Sequence, residues 1–246
     1  QAVFLEGGLS RDGLMGEPKL GFLDYMLRNY DSQTDRNIVF VPVGINYDQV
    51  LEDQNLLNWD NKEKKLSKLQ HLGKLWRFLK NNLFAGSRKR WKRFGYASVN
   101  FGMPVSMQRY CSSKEIDFKH LGKEKRIEKV AELAELLMDA VRYVVPVLPV
   151  PTISAVLIRA GEQSLTSLEI VSGCDELIDE MIERGAAMKV EDKPRHRTLS
   201  RSLDLLRQRG LIVEKDDRYQ INPQQRRVLE YYANSIEHLW KQEDPA

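Results

Sequence analysis

The 246 residues are 42% hydrophobic and 30% charged, with a formal net charge of only +3. Nine prolines and fifteen glycines exclude a collagen-like or low-complexity chain, and the apolar fraction excludes a disordered one, leaving one large globular unit or two small ones. Two cysteines, Cys111 and Cys174, and four scattered histidines give no disulfide framework and no zinc-ligand spacing, which makes a reducing compartment the default.

Residues 1–8 lack the basic start and apolar stretch of a secretory signal. The chain opens on Gln1 and enters at once a strand-like run, Ala2-Val3-Phe4-Leu5, as a chain cut within a longer protein would. Glu6-Gly7-Gly8 ends that strand in a loop. Apolar residues at 20, 22, 23, 26 and 27 predict a helix over 20–27. Residues 37–46 (NIVFVPVGIN) give the clearest strand, apolar on both faces as in a sheet covered on both sides, and closed by Gly44. Residues 98–101 predict another strand before Gly102-Met103-Pro104.

The segment from Lys62 to Arg93 is the most unusual. Twelve Lys/Arg face one acid, Glu63, so it carries +11 and leaves −8 for the rest of the chain. Leu66, Leu69, Leu72, Trp76, Leu79 and Leu83 recur at helical steps. Two readings stand: a core-packed helix with a solvated basic face, or a basic amphipathic surface for anionic lipid, an acyl carrier or nucleic acid.

From about residue 121 the pattern becomes helical, which predicts units at 1–121 and 122–246. A helix is expected over 124–142, with Ile127, Val130, Ala131, Ala134, Leu137, Met138 and Val141 on its apolar stripe. The uncharged run 143–158 is sixteen residues long and is broken by Pro146, Pro149 and Pro151, too short to span a bilayer, which needs about 20. Helices follow over about 152–160, 168–183 and around Leu199, Leu203 and Leu206, the last ended by Gly210. Residues 211–221 predict a hairpin turning at Asp216-Asp217, and Pro223 opens a last helix over about 224–239. Helix, hairpin and closing helix resemble a winged-helix module, and the basic stretch from His196 to Gly210 raises nucleic acid as a ligand. Glu214, Asp216 and Asp217 sit on the wing where phosphates would lie, so no nucleic acid is expected.

The sharpest local pattern is Glu6-Gly7-Gly8-Leu9-Ser10-Arg11-Asp12-Gly13 after the first strand. Paired glycines let backbone approach a ligand, Ser10 adds a hydroxyl, and Arg11 offers a planar fork suited to phosphate. FLEGGLSRDG, with Pro18, Lys19 and Gly21 downstream, resembles the third motif of the glycerolipid acyltransferases. VFVPVGINYDQV (residues 39–50) resembles the fourth motif, ASVNFGMPV (97–105) the segment closing the acyltransferase domain, and LEYYANSIEHL (229–239) the tyrosine-rich C-terminal helix of the large bacterial and mitochondrial glycerol-3-phosphate acyltransferases.

That resemblance implies the C-terminal part of an α/β acyltransferase domain followed by a mostly helical domain with a small winged-helix-like hairpin. It implies acyl transfer from acyl-CoA or acyl-carrier protein to glycerol 3-phosphate, giving lysophosphatidic acid, without cofactor or metal. Dihydroxyacetone-phosphate acyltransferases share these motifs. Carried over, Glu6, Gly7, Gly8, Ser10, Arg11 and Lys19 hold the substrate phosphate, and Pro42 and Val43 lie beside the acyl donor. Leu9 stands where the family usually has arginine, which puts more of the burden on Arg11 and Lys19. The family's general base is a His-x4-Asp pair. The residues five after His71, His120 and His196 are Trp76, Lys125 and Arg201, and His238 is followed by Glu243. No catalytic residue is therefore expected in this chain, no turnover by it alone, and poor solubility from exposed sheet faces. The resemblance also implies peripheral association with the cytoplasmic face of a membrane, with Lys62 to Arg93 as the contact.

Overall fold

The computed structural model describes residues 1–50, 95–186 and 195–241, so the basic segment from Lys62 to Arg93 lies outside the described residues. The fold is mixed α and β with small sheets, and all the strand pairs described are antiparallel. β1 (Val39–Phe40) pairs β4 (Val105–Ser106), and β2 (Val43–Tyr47) pairs β3 (Ala97–Phe101) with Val43 opposite Phe101 and Ile45 opposite Val99. The third sheet has the order β5 (Leu165–Thr166), β7 (Arg218–Ile221), β6 (Ile212–Lys215).

Two apolar cores organise the chain. In the first, Leu23 and Leu27 of α1 (Leu20–Leu27) meet Met107 and Cys111 of α2 (Met107–Lys114) and Val130, Leu133 and Leu137 of α3 (Lys123–Arg142). By its buried residues α3 therefore shares the core of the preceding elements; Leu133 is buried, while Ile127 from the expected stripe is 40% exposed. The second core surrounds α4 (Pro149–Ala160), buried without a break from Val150 to Leu157. Against it pack α5 (Ser167–Glu183), α6 (Arg195–Gln208) and α7 (Arg226–Asn234), through Leu177, Leu206 and Leu229 among others.

Local chemistry explains most boundaries. α4 begins three residues before its expected start because proline is tolerated in a first turn, where amide hydrogens have no partner inside the helix. Thr166 and Glu169 form a reciprocal capping box at α5. Asp216 and Asp217 both take positive φ (51° and 56°), as a tight two-residue hairpin turn requires.

Four expectations are corrected. Residues 2–5 form no strand: Val3 and Phe4 are exposed, and no described strand lies beside them to complete a ladder. Residues 37–46 split into β1 and β2, and Gly44 lies inside β2 rather than closing it. β2 is also not apolar on two covered faces. Gly44 and Asn46 point inward, while Val43, Ile45 and Tyr47 are exposed beside Val99 and Phe101 on an open apolar surface. The last helix is not continuous either. A 3-10 turn (Pro223–Gln225) precedes α7, and α8 (Glu237–Trp240) follows a break at Ser235, whose hydroxyl donates back to the Tyr232 carbonyl at 2.7 Å.

Candidate functional site

Residues 5–19 form a closed loop. The Lys19 amide donates to the Leu5 carbonyl at 2.7 Å, and the Gly16 amide donates to Glu6 Oε2 at 2.7 Å. Gly7 has φ +80°, and a Cβ there would lie 3.1 Å from Lys19 Cγ. Its missing side chain lets the lysine stem lie across the turn. Glu6, Gly7 and Lys19 are thus brought together. Ser10 is engaged inside the loop, accepting from the Gly13 amide at 2.9 Å and donating to Asp12 Oδ1 at 3.1 Å. Arg11 and Gly8 are exposed on its outer side.

The second candidate pair divides. Pro42 is buried, with the Gly102 amide donating to its carbonyl at 2.8 Å, whereas Val43 is exposed on the open apolar face. Further along the same strand, two polar side chains enter the helical half of the chain. Asn46 donates to the Pro146 carbonyl (2.9 Å) and to Ser235 Oγ (3.2 Å). Asp48, fully buried, accepts from the Val150 amide at the start of α4 and from the Tyr96 amide, both at 2.9 Å. Sequence reasoning missed both residues. The signal was there: polar residues at alternate positions beside Val43, Ile45 and Tyr47 mark the face that meets a hydrogen-bonding surface.

The loop also meets α7. Asn234 Nδ2 donates to the Asp12 carbonyl at 2.9 Å, and a Cβ on Gly13 (φ +89°) would lie 2.0 Å from the Tyr231 carbonyl oxygen. Beside this junction lies a cavity of about 700 Å3 lined by Leu14, Met15, Arg142, Arg184, Asn234 and His238, among others. Its cations are already answered: Arg142 pairs Asp139, Lys241 pairs Glu237, and Arg184 donates to the Leu239 carbonyl. Among the described residues no group of His, Cys, Asp and Glu could hold a metal ion, and no helix is long and apolar enough to cross a membrane.

The described histidines differ in setting. His120 pairs Asp117 at 2.7 Å on an exposed turn, and His196 is exposed on α6. His238 Nε2 donates to the Arg142 carbonyl at 3.0 Å, and burial holds its pKa below the ordinary 6.5, with that bond opposing the shift. The unfolded chain therefore takes up this proton first as pH falls. The His238 contribution is complete above about pH 6.5 and is lost as pH drops below it. Urea unfolding at stepped pH should show stability falling on acidification from neutral pH, with a shallower fall in His238→Gln.

The family described as glycerol-3-phosphate acyltransferase C-terminal region matches residues 80–242. The chain belongs to the glycerol-3-phosphate acyltransferase family. Among its relatives, the glycerol-3-phosphate acyltransferase of Aeromonas hydrophila is 30% identical over 96% of this chain and 29% of its own length. The protein of the same name from Pseudomonas paraeruginosa is 32% identical over 66% of this chain and 19% of its own, and that of Glaesserella parasuis is 26% identical over 96% and 29%. The chain thus spans under a third of the length of these relatives. The Aeromonas match reaches the segments around Lys19 and Pro42, which precede the family's C-terminal region.

Proposed function

We propose that this chain is the C-terminal part of a glycerol-3-phosphate 1-acyltransferase. In this reading a fatty acyl group leaves the thiol of acyl-CoA or acyl-carrier protein and is esterified to the sn-1 hydroxyl of glycerol 3-phosphate, giving lysophosphatidic acid for phospholipid synthesis. Glu6, Gly7, Gly8, Ser10, Arg11 and Lys19 hold the phosphate, and Pro42 and Val43 lie beside the acyl donor. The observation that carries the reading is the closed loop of residues 5–19 in a chain of this family: Lys19 crosses Gly7, Glu6 ties the loop shut at Gly16, and Arg11 is an exposed residue of the same loop. The Lys19 ammonium and Arg11 guanidinium supply the positive charge that a phosphate dianion needs.

The base that deprotonates the hydroxyl is not supplied by these residues, since no histidine has an aspartate five positions on. Acyl transfer from palmitoyl-CoA to labelled glycerol 3-phosphate, with vesicles present, should stay at the blank level for this chain alone. It should appear when the preceding segment of the Aeromonas relative is joined to it. In that active form Arg11→Ala should raise the KM for glycerol 3-phosphate by about tenfold or more, the cost of one charge-assisted bond. An unchanged KM would remove Arg11 from the phosphate site.

Two finer features belong to the same reading. We infer that α6, the β6–β7 hairpin and α7 form a winged-helix-like module, because helix, two-stranded wing and closing helix follow in that order. Its Glu214, Asp216 and Asp217 oppose nucleic-acid phosphates, and its second core favours a packing role. Peripheral attachment to the cytoplasmic face of an anionic membrane through Lys62 to Arg93 completes the reading, supported by the +11 charge and the Leu/Trp stripe of that segment.

A further inference from the structure

We propose that residues 231–235 at the end of α7 are a positioning bracket, which fixes the loop carrying Arg11 relative to β2 and the segment after it, the strand that follows Pro42 and begins at Val43. The proposal rests on the reading of that loop as the glycerol-3-phosphate site and assigns a role to residues which that reading leaves unused.

The bracket has two faces. On one, Tyr231 and Asn234, one helical turn apart, meet the loop. Asn234 Nδ2 donates to the Asp12 carbonyl at 2.9 Å, and the Tyr231 carbonyl occupies the space where a side chain on residue 13 would stand. On the adjacent face, Tyr232 and Ser235, again one turn apart, meet β2 and the segment just after it. The Val50 amide donates to Tyr232 Oη at 3.0 Å, and Asn46 donates to Ser235 Oγ at 3.2 Å. The helix stops between the two contacts: the Ser235 hydroxyl donates to the Tyr232 carbonyl.

Each face acts on a different partner of the reaction. The four-residue turn from Ser10 to Gly13 contains Arg11 and is closed internally by the bond from the Gly13 amide to Ser10 Oγ. Asn234 anchors the carbonyl in the middle of that turn, so the guanidinium starts from a fixed backbone. These contacts fix Asn46 in β2 and Val50 three residues past its end, four and eight residues beyond Pro42. Acyl transfer requires the acceptor hydroxyl and the acyl carbon at one mutual distance, and a site ordered before binding loses less affinity to ordering. A single helix end touching both segments sets that distance.

The test uses the whole 246-residue chain and two readouts: amide hydrogen exchange without ligand, and titration with glycerol 3-phosphate. Asn234→Ala is expected to speed exchange at Gly13 and Leu14, leave Val50 unchanged, and weaken glycerol 3-phosphate binding by about tenfold, the loss of one preorganising hydrogen bond. Tyr232→Phe should free the Val50 amide while leaving Gly13 protected. Asn234→Gln, which keeps an amide donor, should restore part of the affinity, and Arg227→Ala on the exposed side of the same helix should change neither readout. The proposal is overturned if Asn234→Ala leaves exchange at Gly13 unaltered, or if exchange rises while affinity stays the same. Absence of any titration response from the unsubstituted chain overturns the phosphate reading and the purpose of the bracket with it. The exchange data then report separately on whether the loop is docked.

Discussion

Replacing Asp48 with alanine is expected to destabilise the chain by about 3–5 kcal/mol, read as a lowered urea midpoint at unchanged slope. The carboxylate is fully buried and joins three parts of the fold. Oδ1 accepts from the Val150 amide in the first turn of α4, Oδ2 accepts from the Tyr96 amide before β3, and the Asp48 amide donates to the Tyr96 carbonyl at 2.8 Å. Alanine leaves the buried Val150 amide and the part-buried Tyr96 amide without an acceptor, at about 1–3 kcal/mol for the buried one and less for the other, and removes a negative group from the positive end of a helix. It also loosens the end of β2 at Asn46 and the segment after it that carries Val50. Asparagine at this position would keep the shape but turn an NH2 group toward one of the two donors, so Asp48→Asn should lose about half as much. A loss below about 1 kcal/mol for Asp48→Ala would mean that water enters and replaces the carboxylate as acceptor for both amides.

How much of this was legible in the sequence depended on what each residue faces. The helix over 20–27 emerges at those bounds because Leu23 and Leu27 pack against other side chains, and side-chain cores write their period into the sequence. In residues 37–48 the partner changes along one strand direction. Ile38 and Phe40 pack on the first core, whereas Gly44, Asn46 and Asp48 meet the backbone of residues 144–150. Apolar residues on the opposite positions then stand exposed, which is why a run apolar on both sides suggests two covered faces. Residues 2–5 show the converse: composition favours a strand, but a strand exists only through its ladder partner.

The loop residues Glu6, Gly7 and Lys19 were legible as a motif, and their mutual approach follows from the glycine at φ +80°. Asn234 was not. An asparagine at a helix end reads as an ordinary terminator, and nothing in the sequence announces that its amide reaches the Asp12 carbonyl, 222 positions away. The break at Ser235 was equally hidden, because the apolar period of the last helix continues through it to Leu239.

Gly44→Ala is the second substitution with a large expected effect, and its cause is steric rather than conformational. A Cβ at this position would lie 2.3 Å from the Val144 carbonyl oxygen, 2.5 Å from its carbon and 2.7 Å from the Val145 nitrogen. All three are backbone atoms, so no change of rotamer relieves the overlap, and β2 must move away from the start of the helical half. That movement pulls Asn46 from the Pro146 carbonyl and Asp48 from the Val150 amide, which adds unsatisfied buried groups to the strain. The expected loss is about 3 kcal/mol or more, measured by the same urea denaturation. Gly21→Ala supplies the contrast: it lies in α1 with open space around its Cβ position and should stabilise by about 0.5–1 kcal/mol through helix propensity. In the active form proposed above, joined to the upstream segment, Gly44→Ala should also lower kcat more than it raises the KM for glycerol 3-phosphate, because the loop stays docked on Tyr231 and Asn234 while β2, the proposed donor side, shifts. Equal changes in both constants would mean that loop and strand move together, and that the spacing between them is held elsewhere than at residues 231–235.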